Sequence, residues 1–138
     1  MTDGSLLYSS VGEEIKKFNV LDGLGIMKVL NSGTKVAIVS GRGCEALHKR
    51  LEELKVTEIF LNYPNKVDAF EILYAKYGEE VKNSAHIGDD EPDLDLFDLV
   101  RYKVTVPNAH DSVLAAADLV LTKRGGEGAV REFCDKIC

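Results

Sequence analysis

The chain has 138 residues, enough for one compact core and too few for two ordinary ones, so a single domain over 1–138 is expected. A formal net charge of -6 and a pI near 5.1 leave no basic stripe to neutralise a phosphate backbone, which argues against nucleic acid as a partner. With 45% hydrophobic and 29% charged residues, 12 Gly and 3 Pro, the composition is that of a soluble globular protein and excludes a disordered or collagen-like one.

Taken in chain order, SLLYS and EEIKKFNV are short β-compatible segments separated by Ser9, Ser10 and Gly12, which predicts a hairpin with a loose loop. From Asp22 to Asn31 the apolar residues Leu24, Ile26, Met27, Val29 and Leu30 recur at helical spacing, and Gly33 follows as a terminating glycine. KVAIVS is a continuous apolar run ending in Ser-Gly-Arg, the profile of a strand buried on both faces. The alternation then repeats. CEALHKRLEEL reads as helix, TEIFL as strand, KVDAFEILYAKY as helix, SAHIGD as strand and PDLDLFDLV as helix. YKVTV is the next strand, SVLAAA a short helix, DLVLT a strand and GAVREFCDKI the last helix. Strands alternating with helices at this pace predict a parallel α/β sheet with right-handed crossovers. Pro64, Pro92 and Pro107 all fall in loops or first helical turns, where a missing N–H does least harm.

The three cysteines, Cys44, Cys134 and Cys138, show no CxxC spacing and indicate neither a disulfide framework nor a zinc site. They read as free thiols in a reducing compartment. No apolar run approaches the roughly 20 residues needed to cross a bilayer, and MTDGSLLYSS lacks the basic and apolar regions of a signal peptide. A cytoplasmic protein without a membrane partner is therefore expected.

Ligands of open α/β sheets bind outside the carboxyl ends of the strands, so the polar residues there carry the functional information. Ser40 ends VAIVS, and with Gly41 it can offer a hydroxyl and backbone N–H groups to a phosphate oxygen; alone, such a pair also serves as an ordinary turn and N-cap. Lys66 stands at the start of a helix, where the macrodipole disfavours an ammonium by about 0.3 to 1 kcal/mol, and a bound phosphate would supply its missing partner. HIGDDEPDLDLF places Asp89, Asp90, Glu91, Asp93 and Asp95 at and after a strand end. Asp90 can cap, Pro92 suits a first turn and Asp93 favours a helix N-terminus. Asp89 is left over, a carboxylate at the tip of an apolar strand that calls for a cation, and hard oxygen ligands favour Mg²⁺.

Read together, SGR, then NK, then GDDEPD resemble motifs two, three and four of the haloacid dehalogenase superfamily. The order matters. A response-regulator receiver also combines an acidic pair, a hydroxyl and a lysine, but with the acidic pair early and the lysine last. The stretch TDGSLLYSSVGEEIKKFNVLDGLGI further resembles the hairpin and DG-G segment of the 3-deoxy-D-manno-octulosonate 8-phosphate phosphatase family, and GGEGAVREF from Gly125 to Phe133 resembles its C-terminal signature, as do Arg50 and AADLVLT. The likeness spans nearly the whole chain.

The resemblance implies a Rossmannoid three-layer parallel sheet with a small β-hairpin and no large cap. It also implies a Mg²⁺-dependent phosphatase of a phosphorylated 3-deoxy-2-ulosonic acid. By it, Ser40 hydrogen-bonds the transferring phosphoryl group, Lys66 neutralises its charge, and Asp89 ligates Mg²⁺ with Asp90 and Asp93 in the outer shell. Gly41, Arg42, Asp22, Gly23 and Arg131 become candidate substrate contacts. Relatives assemble as tetramers through the hairpin, with the tail closing a neighbour's site, so a homotetramer is expected.

Two departures bear on the substrate: Leu21 stands where the family has Arg, and Leu61-Asn62 where it has a Gln-Gly pair. A larger one bears on catalysis. The family's nucleophile and general acid lie in a DxDG segment ending a first, central strand, and that segment has no counterpart here, because the SLLYS hairpin follows the TDG of Thr2–Gly4 and assigns Asp3 to a turn. Without that strand the interior edges of its two neighbours are expected to stay unpaired, at about 1 to 3 kcal/mol for each stranded backbone group, which favours a shortened chain. The alternative is a catalytically inactive assembly or regulatory module, like the phosphatase-like domain appended to CMP-sialic acid synthetase.

Overall fold

The computed structural model describes all residues from Met1 to Cys138. In chain order the elements are β1 (Leu7–Tyr8), β2 (Glu14–Ile15), α1 (Val20–Asn31), β3 (Ala37–Ser40), α2 (Glu45–Glu53), β4 (Glu58–Leu61) and α3 (Lys66–Tyr77). Then follow β5 (Ala85–Gly88), α4 (Leu94–Phe97), β6 (Tyr102–Thr105), α5 (Asp111–Ala116), β7 (Leu119–Val120) and α6 (Ala129–Ile137), with 3-10 turns at Gly78–Asn83 and Glu91–Asp93. No helix is long and apolar enough to cross a membrane. The chain gathers into two compact units: Met1–Ile38, Gly43–Ile59 and Lys123–Cys138 form the first, Val39–Arg42 and Phe60–Thr122 the second.

In the first unit β1 and β2 pair antiparallel, Leu7 opposite Ile15 and Tyr8 opposite Glu14. The Gly12 N–H donates to the Ser9 carbonyl (3.0 Å) from a left-handed φ of 85° that a side chain would resist. α1 begins earlier than the apolar spacing predicts, because the Asn19 carboxamide accepts from the Leu21 N–H at 2.8 Å and caps it. Its buried face is Asp22, Gly23, Gly25, Ile26 and Val29. The glycines let neighbours approach closely. A Cβ at Gly25 would lie 3.1 Å from the Cα of Arg131 on α6, and one at Gly23 would overlap the Arg50 guanidinium of α2.

In the second unit β5, β6 and β7 form a parallel sheet in sequential order, with Ala85 opposite Tyr102, Gly88 opposite Thr105 and Val104 opposite Leu119. Phe97, Val104, Val106, Val113 and Leu121 are essentially inaccessible and form its core, each side chain contributing about 1.5 to 3 kcal/mol of burial. The buried Thr105 hydroxyl donates to the Gly88 carbonyl at 2.7 Å and pins the end of β5.

β3 pairs with β4 alone, and β5 with β6 alone at the edge of the other sheet, so each keeps one edge without a neighbouring strand, as expected. Two other expectations change. With one hydrogen-bonded neighbour, β3 is not buried on both faces; Ala37 is exposed and Ile38 to Ser40 are half-buried. The helix expected over PDLDLFDLV is shorter and begins as the 3-10 turn Glu91–Asp93, because a capping box at Asp90 tightens its start and the Leu99 N–H closes back on the Leu96 carbonyl.

Candidate active site

Ser40 ends β3 and Gly41 and Arg42 follow it, and all three belong to the second unit. The Tyr63 N–H donates to the Ser40 carbonyl at 3.0 Å, so this turn rests against the loop that leads into α3. The Ser40 hydroxyl donates to the Arg42 carbonyl (2.6 Å) and accepts from the Arg42 N–H (3.2 Å), a local turn. A Cβ on Gly41 would meet nothing closer than the Tyr63 carbonyl at 3.7 Å, so packing alone does not require glycine there.

Past Tyr63 and Pro64, Asn65 caps α3: its side-chain oxygen accepts from the Val67 N–H at 3.2 Å while its amide donates to Asp68 at 2.7 Å. Lys66 is the first helical residue. Its ammonium, ill-placed against the helix dipole, is not left without a partner: it lies 2.5 Å from Oδ1 of Asp93. Asp93 is 2% exposed.

Four donors saturate that carboxylate: Lys66 Nζ and His86 Nε2 (2.6 Å) on Oδ1, and the N–H groups of Asp89 (3.1 Å) and Asp90 (3.3 Å) on Oδ2. Burial pushes its pKa up, but the hydrogen bonds and charges of His86 and Lys66 outweigh burial and hold Asp93 well below the ordinary carboxylate range. Asp93 thus grips the lysine and the acidic loop together. Asp90 is the cap of the Glu91–Asp93 turn, accepting from the Glu91 N–H at 2.9 Å.

Asp89 differs from both. Its carbonyl accepts from the His110 N–H at 2.9 Å, but its carboxylate engages no protein donor. Burial, reinforced by the charge of Asp93 and only partly offset by Lys66, pushes the Asp89 pKa up. It is the carboxylate an added cation would relieve most. No three His, Cys, Asp or Glu side chains converge as a metal cluster. A hard cation held by one or two carboxylates, with water and a phosphate completing its octahedron, does not need one.

The other candidates lie in the first unit. Asp22 is 7% exposed; its Oδ1 accepts from the Arg131 N–H at 2.9 Å and its Oδ2 is buried without a partner. Gly128, the cap residue of α6, has no side chain, so Asp22 supplies the carboxylate that this helix start lacks. The Arg131 guanidinium pairs with Asp135 at 2.6 Å, and Gly23 makes room for Arg50. His86 was passed over in the sequence. Alternation along β5 puts it on the same face as Gly88, the face that Asp93 covers, and that period of two was the available signal.

Residues 57–133 match the family model of haloacid dehalogenase-like hydrolases. The 3-deoxy-D-manno-octulosonate 8-phosphate phosphatase KdsC of Escherichia coli (strain K12) is 38% identical over 135 residues, 98% of this chain and 72% of that protein. The chain belongs to the 3-deoxy-D-manno-octulosonate 8-phosphate phosphatase family.

Solved members of this family share the fold. The phosphatase from Moraxella catarrhalis, crystallised with magnesium ion, phosphate ion and KDO, superposes with a TM-score of 0.94 at 39% identity, covering 99% of this chain and 78% of that one. The cobalt-bound phosphatase from Haemophilus influenzae gives a TM-score of 0.91 at 39% identity over 99% and 80%. The α/β fold expected from the resemblance is therefore the fold of this chain.

Proposed function

We propose that this protein serves as a Mg²⁺-dependent phosphomonoesterase acting on a phosphorylated 3-deoxy-2-ulosonic acid such as 3-deoxy-D-manno-octulosonate 8-phosphate. The observation that carries the reading is the Lys66–Asp93–Asp89 arrangement: a cation fixed by a buried carboxylate, whose other oxygen accepts from the N–H of Asp89, a second and partly buried carboxylate. Family membership supplies the substrate class, since the Moraxella catarrhalis relative was crystallised with KDO and phosphate.

Asp89 is the residue to hold Mg²⁺, which when bound neutralises charge on the phosphoryl oxygens. The Asp90 cap keeps the Asp89 loop closed, and Asp93 acts behind it through Lys66. One N–H of the Lys66 ammonium is directed at Asp93, which leaves two to meet a phosphoryl oxygen. Ser40 turns its hydroxyl from the Arg42 carbonyl to the phosphate, and the backbone of Gly41 and Arg42 adds donors. Arg42, beside the Ser40 turn, is the residue of the second unit offered to the sugar acid; within the first unit, Asp22 and Gly23 fix the positions of Arg131 and Arg50.

Leu6, Leu7, Tyr8, Val11 and Ile15 are exposed along the hairpin, clustered apolar surface of the kind that marks an interaction site. This supports a homotetramer assembled through β1 and β2.

The test is phosphate release from 3-deoxy-D-manno-octulosonate 8-phosphate, with and without Mg²⁺, by this chain and by a form extended with a relative's DxDG strand. Mg²⁺-dependent release by the extended form is expected. Inertness of that form toward every sugar-acid phosphate tried would overturn the reading.

A further inference from the structure

The Asp93 carboxylate is held at both ends, and only one of its four donors has no evident part in phosphate or metal binding: the His86 ring. Asp93 is ionised and can only accept, so Nε2 of His86 must carry the proton on that 2.6 Å bond. The ring is itself held fast. It stands edge-on to Phe97, with centroids 5.9 Å apart and planes at 73°, and Phe97 is 1% exposed. It also extends from β5, whose register with β6 is fixed from Ala85 to Gly88. His86 is thus the one rigid donor on Oδ1; the other, Lys66, reaches it on a flexible four-carbon stem.

We infer that His86 is a positioning residue for the reaction: by fixing Oδ1 of Asp93 it sets where the Lys66 ammonium stands before the phosphoryl group. The inference rests on the phosphatase reading for its consequence in rate, but not for its geometry. A carboxylate bonded only to a mobile lysine and two backbone N–H groups can rotate, and the lysine rotates with it. With His86 in place, Lys66 meets a stationary acceptor. The second donor on Oδ1 also shares that oxygen's charge, which leaves the ammonium less fully committed to Asp93 and better able to bond a phosphoryl oxygen.

Two substitutions separate donor from ring. His86→Phe keeps the aromatic contact with Phe97 and removes the N–H. His86→Gln removes the ring and places an amide N–H near the position of Nε2. Two readouts are taken on each: kcat and KM of the DxDG-extended form, and hydrogen exchange of the Asp89 and Asp90 amides in the chain as it stands. In His86→Phe, kcat is expected to fall about tenfold or more with KM little changed, as for loss of one preorganised interaction, and both amides to exchange faster. His86→Gln is expected to restore both toward wild type, whatever either substitution does to melting temperature. Wild-type kcat and amide exchange in His86→Phe would overturn the inference, as would equal losses in both variants that follow their loss of thermal stability. Should the wild-type extended form release no phosphate, the phosphatase reading fails, and the exchange rates alone still decide whether His86 holds Asp93.

Discussion

The side chain of Asp93 folds back over Gly88, five residues earlier in the chain: a Cβ on Gly88 would lie 2.5 Å from the carboxyl carbon of Asp93 and closer still to its Cβ. The absent side chain at the tip of β5 is what lets the carboxylate reach Lys66, His86 and the loop amides at once. The glycine here is required by a neighbour, since its φ is not in the left-handed range.

Gly88→Ala therefore expels Asp93 and frees Lys66. The expected cost is about 1 to 3 kcal/mol of overpacking, with Mg²⁺ affinity falling alongside because the Asp89 and Asp90 amides lose their acceptor. Urea unfolding together with Mg²⁺ titration checks this. Wild-type values for both would show that the loop tolerates the methyl.

Asp93→Asn leaves the Lys66 ammonium beside a neutral amide in a largely buried setting. A loss of about 3 to 5 kcal/mol at pH 7 is expected. Because the Asp93 pKa is depressed by folding, the stabilisation is present above the ordinary carboxylate pKa and is lost as pH falls through the folded value. The gap between wild type and variant should close in strong acid. Melting curves from pH 2 to 7 provide the measurement.

Asp89 titrates the other way. Its folded pKa is raised, first by burial and then by Asp93, so its contribution is favourable below the ordinary carboxylate pKa and is lost as pH rises through the raised value. Without metal, Asp89→Asn should be more stable than wild type at pH 7, the advantage vanishing near pH 3. Added Mg²⁺ should reverse the order, by stabilising wild type alone. Melting temperatures at both pH values, with and without Mg²⁺, test both signs.

Asp22 caps α6 from α1, so Asp22→Ala should cost about 1 kcal/mol and accelerate exchange of the Arg131 amide. Asp22→Asn keeps an acceptor oxygen and loses only the negative charge at the helix start, a smaller cost of about 0.3 to 1 kcal/mol. If the Arg131 amide exchanges at the wild-type rate in the alanine variant, another group caps the helix.

The local elements were legible because short-range chemistry fixes them. α3 runs from Lys66 to Tyr77 as its apolar spacing predicts, since Asn65 caps its start and Gly78, with φ of 65°, ends it. The strand tips were legible for the same reason: each apolar run stops at a polar turn, and those turns carry Ser40, Lys66 and Asp89. The family was legible in the order of those motifs.

Pairing across the fold was not legible. Lys66 and Asp93 are 27 residues apart, and no local pattern says that the lysine's partner is a carboxylate of the chain itself. Nor does any local pattern place the Asp22 carboxylate on the Arg131 N–H, 109 residues away. The sequence alone determined which residues end the strands and what chemistry they carry, because caps, turns and periodicity act over a few residues. Only the tertiary structure decided which of those polar groups saturate one another, because hydrogen bonds between distant elements form where packing brings them within 3 Å or so, and spacing along the chain does not encode that.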